Sequence, residues 1–296
     1  MASMTRRDAG KLLAVVAGSA LVPKLAPGTA PINSVVRGVQ IGAQSYSFRD
    51  LTLDQCIDAY RAVGLGECEL WEETLVPPDI AHDREASLKW HRMAPLETFR
   101  EVRRKFEREG VFIYAFNASM RKQMSDEELE RGFEMARELG AKCITASANV
   151  SMAARVDALA QKHKMVVGFH GHDNTEDPDE FSTEDTFERA MKGASKYIGV
   201  NLDIGHYVAA GGDPLDFLRR HHDRVLTLHL KDRKKNHGPD VPWGEGDVPI
   251  AAVLRMLRDE RWKIPANIEY EYGQPGTDTV SEVKKCFDYC RKALET

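Results

Sequence analysis

After residue 35 the chain alternates short apolar runs of strand length with amphipathic segments of helix length, and it completes that alternation eight times. The strand candidates are Val39 to Tyr46, Glu67 to Glu72, Val111 to Phe116, Cys143 to Ser147, Val166 to His170, Ile198 to Asp203, Val225 to Lys231 and Ala266 to Glu271. Helix starts stand between them: Pro95 at a first turn, a capping box from Ser125 to Glu128, Thr183 to Asp185, Asp213-Pro214, and a long segment from Thr279 to Ala293. Each helix carries the chain back to the end of the sheet where the previous strand began, so the strands run parallel. Eight such units close on themselves, and 296 residues is an ordinary length for the closed form. The expected fold class is α/β, a single-domain (β/α)8 TIM barrel over residues 35–296, preceded by a segment of different character over 1–34.

Side chains alternate along a strand, which sorts each run into an outer and an axial set. In "LTLHLKDR", Leu226 to Arg233, the leucines share one face and Thr227, His229 and Lys231 the other. By the same rule Asp203 falls in with Asn201 and Gly199, Glu269 with Glu271, and His170 with His172. His170, Asp203, His229 and Glu269 are therefore in phase at the C-terminal ends of four successive strands, the end where barrel enzymes build their sites. Two imidazoles and two carboxylates converging there suit one divalent cation, with room left for water or a substrate oxygen. Without an ion the carboxylates repel and one has to keep its proton. A lone strand-end histidine is more often a hydrogen-bonded core residue and a lone Asp a cap; four such residues in phase favour the metal.

The stretches "GVNLDIGHYVAAGGDP", "LTLHLKDR", "WGEGDVPI" and "ANIEYEY" resemble the xylose isomerase-like barrels, the sugar phosphate isomerase/epimerase group that also includes ketose 3-epimerases and endonuclease IV. The resemblance covers about residues 37 to 293. It implies that Asp203, His229 and Glu269 are three of four ligands to one divalent metal, with Mn, Co, Mg, Zn or Fe as candidates. The fourth position is His170, in "GFHGHDN", where the epimerases carry Glu. In those enzymes the two glutamates act as acid and base on opposite faces of the sugar. One of that pair is missing here.

The reaction this implies is proton abstraction next to a carbonyl, through a metal-stabilised enediolate. Glu269 is the expected general base, and His170, His172 or His206 the complementary acid. Lys231 is expected either to hold a substrate oxygen or to form a salt bridge with Asp203 or Glu271. Return of the proton to carbon makes an isomerase or epimerase. Loss of a neighbouring substituent makes a lyase, as in related barrels that release the aglycone of 3-keto-glycosides. The expected substrate contacts are Gln44, Trp71, His172, His206 and Trp243, the last in the Gly/Pro-rich loop "NHGPDVPWGEGD". An endonuclease IV-like phosphodiesterase needs more histidines on the early strands, and residues 67–72 and 111–116 contain none. A non-catalytic sugar-binding barrel is the other rival.

A formal charge of -5 gives no reason to expect nucleic acid. The N-terminus is distinct: Arg6-Arg7, then the apolar run Leu12 to Val22, then a stretch rich in Pro, Gly and Ala. That is the pattern of a twin-arginine-like export signal, too short to span a bilayer, with Gly10 where such signals usually have an aromatic or Leu. It places the protein in the periplasm or otherwise outside the cytoplasm, or in the cytoplasm if the signal is not used. The expectation is a small, unphosphorylated carbohydrate as partner, no membrane contact after processing, and, from the resemblance, a homo-oligomer. Five cysteines, with two inside strand candidates and no CxxC pair, point neither to a disulfide framework nor to structural zinc.

Overall fold

The computed structural model describes residues 30–273 and 276–296, so the signal-like run from Leu12 to Val22 lies outside the described residues. The barrel strands are β1 Val39–Gln44, β2 Glu67–Trp71, β3 Phe112–Met120, β4 Cys143–Ala148, β5 Val166–His170, β6 Ile198–Asp203, β7 Val225–Leu230 and β8 Ala266–Ile268. Each pairs in parallel with its neighbours in sequence, and β8 closes on β1 with Ala266 beside Ile41 and Ile268 beside Ala43. A two-residue strand, Val35–Val36, pairs antiparallel with the start of β1. The expected (β/α)8 barrel is what the chain forms.

Three strand ends differ from the sequence reading by two residues or more, each for a local reason. β1 stops at Gln44 because that side chain accepts the N–H of Tyr46 and starts a 3-10 turn, Ser45–Phe48. β3 continues to Met120 because β4 lies beside it from Ala115 onward. β8 ends at Ile268, and Glu269 follows it, tied by its backbone N–H to the carbonyl of Leu230 at 3.0 Å. The helix starts match their signals: Ser125 and Glu128 form a reciprocal capping box, and Asp213 caps the helix that Pro214 opens. Between β2 and β3 the chain carries two helices, Arg84–Met93 and Leu96–Arg108. All five cysteines are free and buried.

The apolar residues of the strands face outward onto the helices; Leu70, Phe116, Ile144, Phe169, Leu202 and Leu228 are each at most 1% exposed. The axis, which barrels of this kind commonly fill with branched apolar side chains, is polar here. Thr145 Oγ1 donates to Glu69 Oε1 at 2.7 Å, and Asn267 Nδ2 donates to Glu69 Oε2 at 3.2 Å and to Thr227 Oγ1 at 2.9 Å. Neither oxygen of the buried Glu67 makes a hydrogen bond, nor does Asn267 Oδ1. A Cβ added at Gly42 would lie 1.7 Å from Glu67 Oε2 and 2.3 Å from Asn267 Oδ1, so the two acceptors crowd one spot that only glycine leaves open. A proton on Glu67 removes the conflict. Burial, reinforced by Glu69 and opposed by His229, pushes the Glu67 carboxyl well above the usual carboxylate range.

Two outcomes follow. Gly42→Ala should destabilise the fold by about 1–3 kcal/mol through overpacking, while Gly132→Ala, whose Cβ would meet only Ala118 Cβ at 4.0 Å, should leave it as stable or better; thermal unfolding by circular dichroism compares them. For Glu67, the folded pKa lies above the unfolded one, so the folded chain holds a proton that the unfolded chain releases, and stability declines as pH rises through that window. Glu67→Gln should gain on the wild type as pH increases from about 5 to 8, at up to about 1.4 kcal/mol per pH unit. Urea unfolding at both pH values checks this, and a difference that does not change with pH would contradict it.

Candidate metal and sugar site

The strand ends bring His170, Asp203, His229 and Glu269 together: one ligand atom from each lies within 4.8 Å of the others, and all four residues are buried. β5, β6 and β7 present the first three from their last axial positions, and the residue after β8 presents the fourth. Asp203 also caps the helix Ile204–Ala209, accepting the His206 N–H at 2.8 Å, which fixes its carboxylate at the mouth.

Charge explains the rest of the arrangement. The ammonium of Lys231 lies 3.1 Å from Asp203 Oδ2 and 2.9 Å from Glu269 Oε2, and pairs with Glu271 as well. Burial opposes that charge, but the three carboxylates overcome it and raise the Lys231 pKa well above the usual lysine range. His229 is held from both sides, Nδ1 3.1 Å from Glu269 Oε2 and Nε2 2.8 Å from Glu69 Oε1. Burial alone would depress its pKa; Glu69 and Glu269 reverse this and raise it well above the histidine range. Burial raises the tendency of Glu269 to protonate, yet Lys231 and His229 draw its pKa well below the carboxylate range. His170 is the contrast: burial, aided by His229 and His172, lowers its pKa and keeps it neutral with a lone pair available. Four carboxyl groups, Asp203, Glu269, Glu271 and Glu69, face one lysine and a histidine that charges only because they surround it.

The donor set fits a divalent ion. It pairs the neutral imidazole of His170 with two carboxylates and with His229, which would give up its second proton on binding, and the carboxylates around it leave an excess of negative charge. Glu69 on His229 is the carboxylate partner that metal-bound histidines commonly have. His170, Asp203, His229 and Glu269 would hold the ion.

Beside these residues lies a polar cavity of about 220 Å3, lined also by Gln44, Trp71, His172, His206, Lys231 and Glu271. It is smaller than the ~300 Å3 at the lower end of drug-sized ligand sites, so it suits one small polar ring. Most of the expected contacts are thus assembled, but their duties differ. His206 has Nε2 3.0 Å from the Lys231 ammonium and Nδ1 beside the Arg233 guanidinium; both cations only donate, so one ring nitrogen accepts and the other, bearing the proton, faces Asp173 or Asp203, 3.5 and 3.7 Å away. His172 has Nδ1 held by Glu180 Oε1 at 2.9 Å and is one-third exposed to the cavity side of the loop after β5. Trp243 does not reach the cavity: it packs edge-on against Tyr289, ring centroids 5.7 Å apart, on the C-terminal helix Thr279–Glu295. Its loop is pinned by Asp232, which accepts the N–H groups of Gly244, Gly246 and Val248 at 2.7, 3.1 and 3.3 Å. That binding turns the tryptophan toward the helix. Glu69, Glu180 and Arg233 are site residues that the sequence reading did not pick out. Glu69 was detectable, since "ECELW" puts two carboxylates on the axial face of a strand; the partners of Glu180 and Arg233 come from loops with no periodicity.

Comparison with known proteins bears on the fold and the family. A stretch of 79 residues is 30% identical to the inosose dehydratase of Lactiplantibacillus plantarum, covering 26% of this chain and 25% of that protein. Among solved structures, the probable 3-DHS dehydratase AsbF of Bacillus anthracis superposes with a TM-score of 0.64 at 16% identity, covering 87% of this chain and 99% of AsbF. The 3-keto-D-glucoside 4-epimerase YcjR of E. coli gives 0.64 at 13% identity, covering 86% and 99%. At such identities these two likenesses show the fold. The model of the xylose isomerase-like TIM barrel matches residues 57–290. The chain therefore belongs to the xylose isomerase-like TIM barrel family.

Proposed function

We propose that this protein is a metal-dependent, carbohydrate-modifying enzyme that removes the proton next to the carbonyl of a keto-sugar, acting as an isomerase or epimerase. The convergence of His170, Asp203, His229 and Glu269 beside a small polar cavity carries the reading. A divalent ion bound there would polarise the carbonyl and acidify the neighbouring C–H. Glu269, kept ionised by Lys231 and His229, accepts that proton. Its low basicity makes it suited only to an acidified C–H. Lys231 stands next to the developing negative charge on the substrate oxygen. His172, whose Nδ1–H donates to Glu180, delivers a proton from Nε2 in its doubly protonated form and is left as the neutral Nδ1–H ring.

A specific observation favours a second reading, elimination. The end of β5 carries His170, a neutral buried imidazole, instead of a second carboxylate base. One base, Glu269, and one imidazole acid, His172, are the parts needed to take a proton from carbon and give one to a departing oxygen. The dehydratase and epimerase among the similar proteins support chemistry next to a ketone without choosing between the two fates. An unphosphorylated substrate is supported by the cations: Lys231 is shared by three carboxylates, and Arg233 is bound to Asp173 at 3.1 Å and to the carbonyl of Gly238, so neither is free for a phosphate.

The test is exchange in deuterated water with a panel of free ketoses and 3-keto-glycosides. We expect about one divalent ion per chain, deuterium entering at the carbon beside the carbonyl, and loss of exchange by about 10²–10⁴-fold in Glu269→Gln. His229→Ala should lose the ion itself, read by metal analysis. Released aglycone would select elimination. Undiminished exchange after chelation, or in Glu269→Gln, would sink the mechanism.

A further inference from the structure

The helix Arg84–Met93 is an addition to the one-helix-per-strand scheme. Between β2 and β3 the barrel is already covered by the helix Leu96–Arg108, which buries Phe99, Val102 and Phe106; of the 10 residues of Arg84–Met93 only Ser87 is buried. This extra helix is held along its edges instead. On one side Ser87 Oγ donates to Glu73 Oε2 at 3.0 Å, and His91 Nε2 lies 3.6 Å from Glu73 Oε1. On the other, the guanidinium of Arg131 donates to the carbonyls of His91, at 3.3 Å, and Ala94, and Arg92 Nε lies 3.6 Å from Glu128 Oε1. Strapped at both sides and packed little between them, the helix is a roof.

Beneath that roof lies a cavity of about 760 Å3, within the ~300–1,000 Å3 range of small-molecule sites. Its apolar wall is formed by Phe116, Leu129 and three methionines, Met120, Met124 and Met135, and methionines adapt to ligands of varied outline. Charge decides what else the space can take. Glu73, Glu128, Arg92, Arg131 and His91 line it but are engaged in the straps. Glu72 accepts the N–H of Ser119 at 2.9 Å, and burial pushes its carboxyl up against the opposing pull of His91. Two lining guanidiniums, those of Arg84 and Arg121, make no hydrogen bond or ion pair among the described residues. The uncommitted charge on the wall is therefore positive, and a guanidinium matches a carboxylate in a two-pronged pair.

We propose that the cavity beneath the helix Arg84–Met93 binds an amphipathic carboxylate, its hydrocarbon body against Met120, Met124 and Met135 and its head at Arg84 and Arg121. This is a second ligand site, on the outer side of β3, and Trp71 is the one side chain whose surface it shares with the polar cavity. It stands whether or not the polar cavity takes a sugar, because none of the four residues that would hold the metal contributes to it.

Calorimetric titration of the full chain with decanoate, decanol and decyltrimethylammonium, with divalent metal present and again after chelation, tests it. Decanoate should bind at least about tenfold more tightly than decanol, as expected for a charge-assisted pair; decyltrimethylammonium should bind more weakly than either, and chelation should change none of this. The double substitution Arg84→Gln and Arg121→Gln, at two side chains that support nothing else, should bring decanoate down to the level of decanol and leave decanol as it was. Gly132→Leu, which grows a side chain into the cavity from the helix Asp126–Leu139, should weaken decanoate and decanol alike, with circular dichroism confirming the fold. The proposal is overturned by equal binding of the three probes, by no binding of decanoate at millimolar concentration, by a carboxylate preference that survives the arginine substitutions, or by undiminished binding in folded Gly132→Leu. Loss of decanoate on chelation would also overturn it, since the carboxylate would then be sitting on the metal of the polar cavity.

Discussion

The contact on which the site depends is the buried ammonium of Lys231 among Asp203, Glu269 and Glu271. An unpaired charge in that position would be severely penalised by desolvation, and so would any one of the carboxylates. Together they are stable as a group, and each member is thereby locked in place. The same group dictates the protonation of its surroundings: Glu269 stays ionised, His229 is pulled toward its charged form by carboxylates on both ring nitrogens, and His170, with no carboxylate hydrogen-bonded to it, stays neutral. A set that could hold a metal ion, one neutral donor and two ready carboxylates, follows from burial at His170 and from where one lysine sits beside Asp203 and Glu269.

The polar axis below the site extends this logic. Glu69 is bound by Thr145, Asn267 and His229, so the floor of the barrel orients the histidine that faces its mouth. Such a floor requires space, and Gly42 provides it. The polar interior therefore couples two ends of the barrel that an apolar filling would have kept independent.

The barrel and its four converging ligands were legible in the sequence because both follow from period-two alternation: a strand-end residue in phase with its neighbours points where its neighbours point. Lys231 was legible in its position and its salt bridges to Asp203 and Glu271, and the structure adds Glu269 to them. What alternation does not encode is the register between one loop and another. Glu180 reaches His172 from eight residues on, Arg233 reaches Asp173 across 60 residues, and neither spacing repeats. Trp243 was read as a substrate contact because its loop lacked an evident core role, yet the C-terminal helix supplies that role through Tyr289. Glu67 and Glu69 lay within reach of the alternation rule, two residues apart on the axial face of β2.

Asp232 gives the neighbourhood one more property. Its carboxylate grips the loop after β7 by three main-chain amides, at Gly244, Gly246 and Val248, and so recognises the loop's path while ignoring most of its chemistry. Residues at the tip are held by side chains as well, Asp240 by an ion pair with Arg233 at 3.4 Å and Trp243 by the ring of Tyr289. Two glycines serve that path: Gly246, where a Cβ would strike the carboxylate at 1.9 Å, and Gly244, whose φ of +96° lies in the left-handed region. The brim of the barrel and the strand end beneath it are therefore joined as one body through the backbone that Asp232 holds.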